Sequence, residues 1–319
     1  MTPALSDHFN GKTFFQHHHA AIRMRDFWRW RLKHRPTPWP AHVPVVPQPP
    51  PPTPRGDEVV ATWLGHATFL LQTRHGTLLI DPVFSERVSP VSWAGPRRVH
   101  APGIAFEALP RIDAVLLSHD HYDHCDAPTL RRLVAAHQPR FIAPLRHRDL
   151  FNAAGAPPAS ITELDWWETT TLAAGGTIAL TPSKHWSNRF GTPRNHRLWG
   201  GFHLQLGPKR VWFVGDTGYD AEIFQAVRAR CGAPDLALVP IGAYEPRWFM
   251  APMHLNPTEA VQLHRDAGAR ISIGMHWGTF QLTDEGRDEP VAHLAEARRA
   301  AGIPSEDFRV VAPGESVAV

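Results

Sequence analysis

Thirteen residues limit the folds open to this chain more than any others: AVLLSHDHYDHCD, at positions 114–126. AVLLS is a short, nearly continuous apolar run and reads as a buried strand. His119, His121 and His124 follow at once, interleaved with Asp120, Asp123 and Asp126. Groups so crowded repel one another when charged and lose hydration when packed. A fold that ends a buried strand on them needs a compensating charge. Divalent cations supply one, and imidazole and carboxylate are donors that Zn²⁺ accepts. The alternative is an unmetallated loop of surface histidines bonded to one another.

If cations are held, more donors must reach the same place, and the rest of the sequence is patterned to bring them. Short apolar runs predict strands at 58–65, 68–73, 76–81, 140–144, 177–182, 201–206, 209–216, 236–242 and 270–276, with turns at Gly65-His66 and Arg74-His75-Gly76. Helices are expected at 126–137, with Asp126 as N-cap and Pro128 in the first turn, and at 219–230, 257–267 and 290–301. Hairpins and βα crossovers alternate, which indicates an α/β sandwich with two sheets inside and helices outside. His119 follows AVLLS, His185 follows TIALTP, Asp216 ends VWFVGD and His276 ends ISIGMH. The C-terminal ends of neighbouring strands share one sheet edge, where α/β sites form.

Composition narrows the class. With 43% hydrophobic and 20% charged residues, the chain is globular, and its net charge of +3 implies no nucleic-acid partner. No apolar run approaches the ~20 residues of a bilayer span, and the N-terminus has no uninterrupted apolar core of the kind a secretory signal carries. Two cysteines, Cys125 and Cys231, suit a reducing compartment, so a cytoplasmic protein is expected. Cys125 reads as a small buried residue beside His124.

The first 56 residues have another texture, with eight Lys and Arg against two acidic residues. Positions 20–35 read as a short helix with Ile22, Met24, Phe27 and Trp30 on one side. Ten prolines between 36 and 54 exclude helix and central strand and predict extended polyproline II. Residues 1–56 are therefore an arm, and 57–319 the body. The arm's helix has two readings. It could lie on an anionic leaflet with Trp28 and Trp30 at the interface, as a peripheral membrane contact, or pack on the body as a cover drawn round by the proline strap. The run His17–His19 carries no assigned role.

The pattern H-x-H-x-D-H, as His119, His121, Asp123 and His124, followed far downstream by His185, Asp216 and His276, resembles the metallo-β-lactamase superfamily. The resemblance implies an α/β fold, an αββα four-layer sandwich, with two Zn²⁺ per chain. It would give one zinc to His119, His121 and His185 and the other to Asp123, His124 and His276, with Asp216 bridging. Mn²⁺ or Fe²⁺ suit the same donors. Asp81 in LLIDP matches the acidic residue the superfamily keeps behind the metals. His66 is expected beneath them, steadying a ligating imidazole by its second nitrogen.

A finer resemblance covers roughly 58–285. TWLGHATFL, IDPVFSERVSP, GPRR, SHDHYDHCD, His185-Trp186, FVGDTGY, PIGAYEPRWFM and MHWGTF look like the family of N-acyl-phosphatidylethanolamine-hydrolysing phospholipases D and their bacterial relatives. It implies a hydrolase whose substrate is a phospholipid or other phosphodiester, cleaved to N-acylethanolamine and phosphatidic acid. Asp123 would be catalytic as well as a ligand, and His254 would be the proton donor to the leaving group. Trp93, Trp186, Trp248, Phe249 and Met250 would line an apolar trough. The competing readings are a metal-dependent lactone, ester or amide hydrolase on the same fold, and a metal-stabilised binding protein.

Overall fold

The computed structural model describes residues 6–16, 24–172 and 175–319, so Ile22 and the run His17–His19 lie outside the described residues. The first half of the body builds one sheet. Strands β1 (Val60–Gly65), β2 (Thr68–Thr73) and β3 (Gly76–Ile80) form an antiparallel meander, and β4 (Ala114–Leu116), β5 (Arg140–Pro144) and β6 (Ile161–Leu164) extend it in parallel. The second half repeats the plan. Strands β7 (Thr169–Thr171), β8 (Thr177–Thr181), β9 (Gly201–Leu206) and β10 (Lys209–Phe213) are antiparallel, and β11 (Leu236–Pro240), β12 (Ile271–Met275) and β13 (Phe308–Arg309) continue in parallel. Strand β14 (Ser316–Ala318) returns to the first sheet and pairs antiparallel with β1.

Among the described residues seven α-helices accompany the sheets: α1 (Met24–Lys33), α2 (Ala127–His137), α3 (Arg148–Ala153), α4 (Ala221–Cys231), α5 (Arg247–Met250), α6 (Pro257–Ala267) and α7 (Glu289–Ala301). Successive strand side chains point to opposite faces, and the first sheet is buried on both. Ala61, Trp63, Phe69, Leu71, Ile80 and Leu116 enter the core between the sheets. Their neighbours Leu64, Leu70, Leu79 and Val115 enter a second core with Leu130 and Leu133 of α2 and Phe151 of α3. Phe224 and Val227 of α4, Val261 and Leu263 of α6 and Leu294 of α7 join the inter-sheet core from the other side. The result is the four-layer αββα sandwich that the strand and helix order predicts.

Asp126 does occupy the N-cap position of α2, but it makes no cap bond to the helix. Its buried carboxylate instead accepts the Phe84 and Ser85 amides and the Ser85 and Thr129 hydroxyls, pinning the segment after β3 to the start of α2. Removing an acceptor that serves this many buried donors leaves them unsatisfied. Asp126→Ala is therefore expected to lose about 2 kcal/mol or more of folding stability. Urea unfolding checks this, and a loss below about 0.5 kcal/mol would contradict it.

Residues 34–57 form neither helix nor strand, as ten prolines require. They run along the body, bonded to it at Thr37 N to Asp284 O (2.9 Å), Val43 N to Val99 O (2.6 Å), Gln48 N to Gly103 O (2.7 Å) and, from the body's side, Gln72 Nε2 to Pro51 O (3.0 Å). Among the described residues no helix is long and apolar enough to cross a membrane.

Candidate metal centre

The two sheets bring their strand ends together. His66 lies in the turn after β1, Asp81 directly after β3, His119 just beyond β4, Asp216 beyond β10 and His276 directly after β12. The backbone bends sharply to aim them. His66, Asp81 and His276 all have positive φ, at 54°, 41° and 63°, a region that non-glycine residues enter at a cost. Gly242 leaves room for this bend, since a Cβ there would collide with the His276 carbonyl.

The predicted ligands fall into two groups. His121 Nδ1 is 2.8 Å from His119 Nε2 and 3.3 Å from His185 Nε2. Asp123 Oδ2 is 3.4 Å from both His124 Nε2 and His276 Nε2. Asp216 Oδ2 stands between the groups, 3.2 Å from His124 Nε2 and His276 Nε2, 3.7 Å from His185 Nε2 and 4.0 Å from His119 Nε2. Within each group one donor atom per residue lies within 4.8 Å of the others, close enough to share an ion.

Most of the imidazoles are steadied from behind. Asp81 accepts His124 Nδ1–H at 2.7 Å and the Ser118 hydroxyl at 2.5 Å, and Ser118 Oγ in turn faces His119 Nδ1 at 2.9 Å. The Met253 carbonyl takes His185 Nδ1–H at 3.0 Å. Each of these contacts fixes a tautomer that leaves Nε2 free to bind an ion. His66 departs from expectation. Its Nε2 meets a carboxylate, Asp123 Oδ2 at 2.8 Å, and holds no ligating imidazole by hydrogen bond.

Buried polar atoms almost always find partners, yet here His121 Nε2, His124 Nε2, His276 Nε2 and Asp216 Oδ1 have no hydrogen bond. Burial opposes ionisation of Asp123 and Asp216, but the surrounding imidazoles outweigh it and hold both carboxyls well below the usual range. Burial also disfavours charge on His276, and Asp216 and Asp123 overcome it, raising its pKa to about 9. His124 is raised likewise. The carboxylates thus demand positive charge, and a donor set of nitrogen and oxygen atoms with this demand fits divalent cations. Cations must displace the His124 and His276 protons, so metal affinity is expected to rise with pH up to about 9 and proton release to accompany binding. Calorimetric titration in buffers of different ionisation heat measures that release; a pH-independent affinity would contradict it.

Beside this centre lies a cavity of about 590 Å³ lined by His121, Asp123, Asp216 and His254 together with Trp186, Phe249, Met250, Met253, Phe27 and Trp30. A groove of similar volume, about 610 Å³, runs between α6 and α7, and no histidine lines it. His254 is 5.2 Å from His185 and 5.5 Å from His276 between ring centroids, its Nδ1 has no partner, and burial lowers its pKa to about 4. Two of the expected trough residues lie elsewhere. Trp93 is 79% exposed and outside the cavity lining. Trp248 is also outside it, at the surface beneath the Arg29 guanidinium, because the short helix α5 turns Phe249 and Met250 inward and Trp248 outward. Cys125 is a buried free thiol, its pKa raised by burial to about 11.

Sequence patterns did not reveal the support beneath this site. Asp120, within the histidine run, pairs its Oδ2 with buried Arg197 at 2.9 Å and accepts the Asn188 amide at 2.8 Å. Glu285 accepts the amides of Ala243, Tyr244 and Glu245 at 2.5, 3.3 and 3.0 Å, fixing the segment that leads to α5.

Residues 77–277 match the model of the β-lactamase superfamily domain. The chain is 41% identical over 244 residues to the N-acyl-phosphatidylethanolamine-hydrolyzing phospholipase D 1 of Caenorhabditis elegans, covering 74% of this chain and 68% of that protein. It is 34% identical to the mitochondrial N-acyl-phosphatidylethanolamine-hydrolyzing phospholipase D of Saccharomyces cerevisiae over 74% of this chain, and spans only 51% of the yeast protein's length. Among solved structures, a metallo hydrolase of the archaeon Ignicoccus hospitalis superposes with a TM-score of 0.60 at 23% identity, over 82% of this chain and 98% of that one.

Proposed function

The chain belongs to the β-lactamase superfamily and is a hydrolase, and on that premise we propose that it is a dinuclear zinc phosphodiesterase acting on N-acylphosphatidylethanolamine-like phospholipids. The products would be N-acylethanolamine and phosphatidic acid. The observation that carries this reading is a two-group ligand centre opening into a cavity walled by Trp186, Phe249, Met250 and Met253. Such a cavity suits a substrate with a charged phosphodiester and long apolar chains, and the relatives' names point the same way.

His119, His121 and His185 would hold one cation, Asp123, His124 and His276 the second, and Asp216 both. Zinc is the metal we favour for these donors, with Mn²⁺ and Fe²⁺ as substitutes. Divalent cations bound there supply a water of lowered pKa and offset the charge that the phosphoryl oxygens gain. The side chains do the rest. Asp81 and Ser118 keep His124 and His119 oriented, and Asp123 is the carboxylate we assign to take the attacking water's proton. Burial lowers the His254 pKa to about 4, so we assign it a hydrogen bond to the leaving oxygen, which is protonated by the proton that Asp123 took from the attacking water. Residues 1–56 act as an arm and 57–319 as the hydrolase body. The arm offers a peripheral contact with anionic lipid through exposed Trp28 and the arginines of α1. Two free thiols suit the cytoplasm.

Zinc-loaded protein assayed on N-acylphosphatidylethanolamine vesicles, on bis-p-nitrophenyl phosphate and on a lactone, ester and amide panel tests the reading. Phosphodiester turnover supports it. Turnover of the panel without any phosphodiester turnover makes the protein a lactone, ester or amide hydrolase instead.

A further inference from the structure

We propose that α1 is the roof of the substrate cavity and that Trp30, with Phe27, sets the length of acyl chain the cavity accepts. The chemistry of the ligand rests on the reading above; the placement of α1 does not.

The wall can be followed from the metal centre outward. His185 is bonded to the Met253 carbonyl. Met253 packs with Phe249 and Met250 in a small apolar cluster, to which Trp30 and Trp186 add their rings. Trp30 stacks flat on Phe249, with centroids 5.3 Å apart and planes 11° from parallel. An unbroken apolar surface thus runs from a ligating histidine to a helix of the arm. Phe27 lies one turn before Trp30, 5.9 Å away, and lines the same cavity. Leu32 is 82% exposed and is not among the lining residues. One side of α1 therefore faces the cavity while the other faces solvent.

The roof is tied down at its C-terminal end. His34 pairs with Asp284, Thr37 N donates to the Asp284 carbonyl at 2.9 Å, Gln281 Nε2 donates to Thr37 O at 2.8 Å and Trp39 Nε1 donates to Glu285 O at 2.9 Å. Those bonds all end on residues 281–285, and Leu282 and Thr283 of that segment also line the cavity. The arm is thereby registered against the very wall it faces. A chain growing along this wall gains about fourfold in affinity per methylene until it meets the Trp30 ring, and then gains no more.

Full-length protein titrated calorimetrically with saturated N-acylethanolamines from octanoyl to stearoyl, below their aggregation concentrations, measures that limit. Wild type is expected to bind more tightly with each carbon up to a plateau. In Trp30→Ala the plateau moves out by roughly two carbons, and the longer chains bind about tenfold tighter than to wild type. Trp30→Phe, which keeps a stacking ring, moves it less and covers the case in which the alanine variant is poorly folded. Leu32→Ala, on the outer side of the same helix, leaves it where it was. An unmoved plateau in folded Trp30 variants, or a wild-type affinity indifferent to chain length, overturns the proposal. A plateau that shifts in a protein with no phosphodiester turnover upholds the roof and removes the phosphodiesterase.

Discussion

Asp216→Ala is expected to lose hydrolytic turnover by about a thousandfold or more, because a bound cation contributes several kcal/mol to the transition state and each ~1.4 kcal/mol is a factor of ten. The reason for the size is position. Asp216 Oδ2 lies 3.2 Å from donors of one ligand group and 3.7 and 4.0 Å from donors of the other, so no other side chain can take its place between them. Its carboxylate also holds the charge that makes His124 and His276 basic. The fold should survive, because Asp216 Oδ1 makes no hydrogen bond and the core between the sheets does not depend on it. Metal content by elemental analysis should fall below two ions per chain, with thermal melting of the metal-free variant close to that of metal-free wild type. Activity within about tenfold of wild type would contradict the bridging role.

Arg197→Ala is expected to cost about 3 kcal/mol of folding stability, in the range found when one partner of a buried ion pair is removed. Its guanidinium spans two carboxylates, Asp120 at 2.9 Å and Asp149 of α3 at 2.6 Å, with its own side chain 2% exposed. Its carbonyl also accepts the Ser187 hydroxyl. Deletion strands Asp120 as a buried, uncompensated charge between His119 and His121. Metal affinity should then fall about tenfold to a hundredfold, as for other groups that orient ligands from behind. Urea unfolding and a chelator competition measure the two effects separately. Arg197→Lys should recover only part of either, since an ammonium cannot fork between two carboxylates. Replacing Asp120 and Arg197 together by Asn and Met should cost less than Arg197→Ala alone. A single-variant loss below about 1 kcal/mol would mean that the pair does not hold the loop.

Much of the fold was legible in residue order. The strands at 68–73, 140–144 and 201–206 begin and end where the apolar runs do, because a strand buried on both faces reads as a short, nearly continuous apolar run. Others carried no signal. Strand β7 is three threonines, β13 is two residues long, and β14 exists by pairing with β1 across the whole length of the body. Helix α5 is a single turn inside PIGAYEPRWFM, too short for any periodicity, and it decides which aromatic residues face the cavity. Trp248 directly precedes the cavity residues Phe249 and Met250, but the direction in which each side chain of α5 points is set by backbone dihedrals that composition does not record.

What the sequence by itself determined is the chemistry on offer: three histidines and an aspartate behind a buried strand, further ligands at other strand ends, and an arm too rich in proline to join a sheet. These are local properties, read from residue type and spacing. Only the tertiary structure decided that Asp216 stands between two ligand groups, that His66 meets Asp123, that Arg197 neutralises Asp120, and that an arm helix closes over the cavity. Those contacts join residues far apart in the chain (Trp30 and Phe249 are separated by 219 positions), and they follow from which strands lie side by side, a global outcome of burying both faces of two sheets at once.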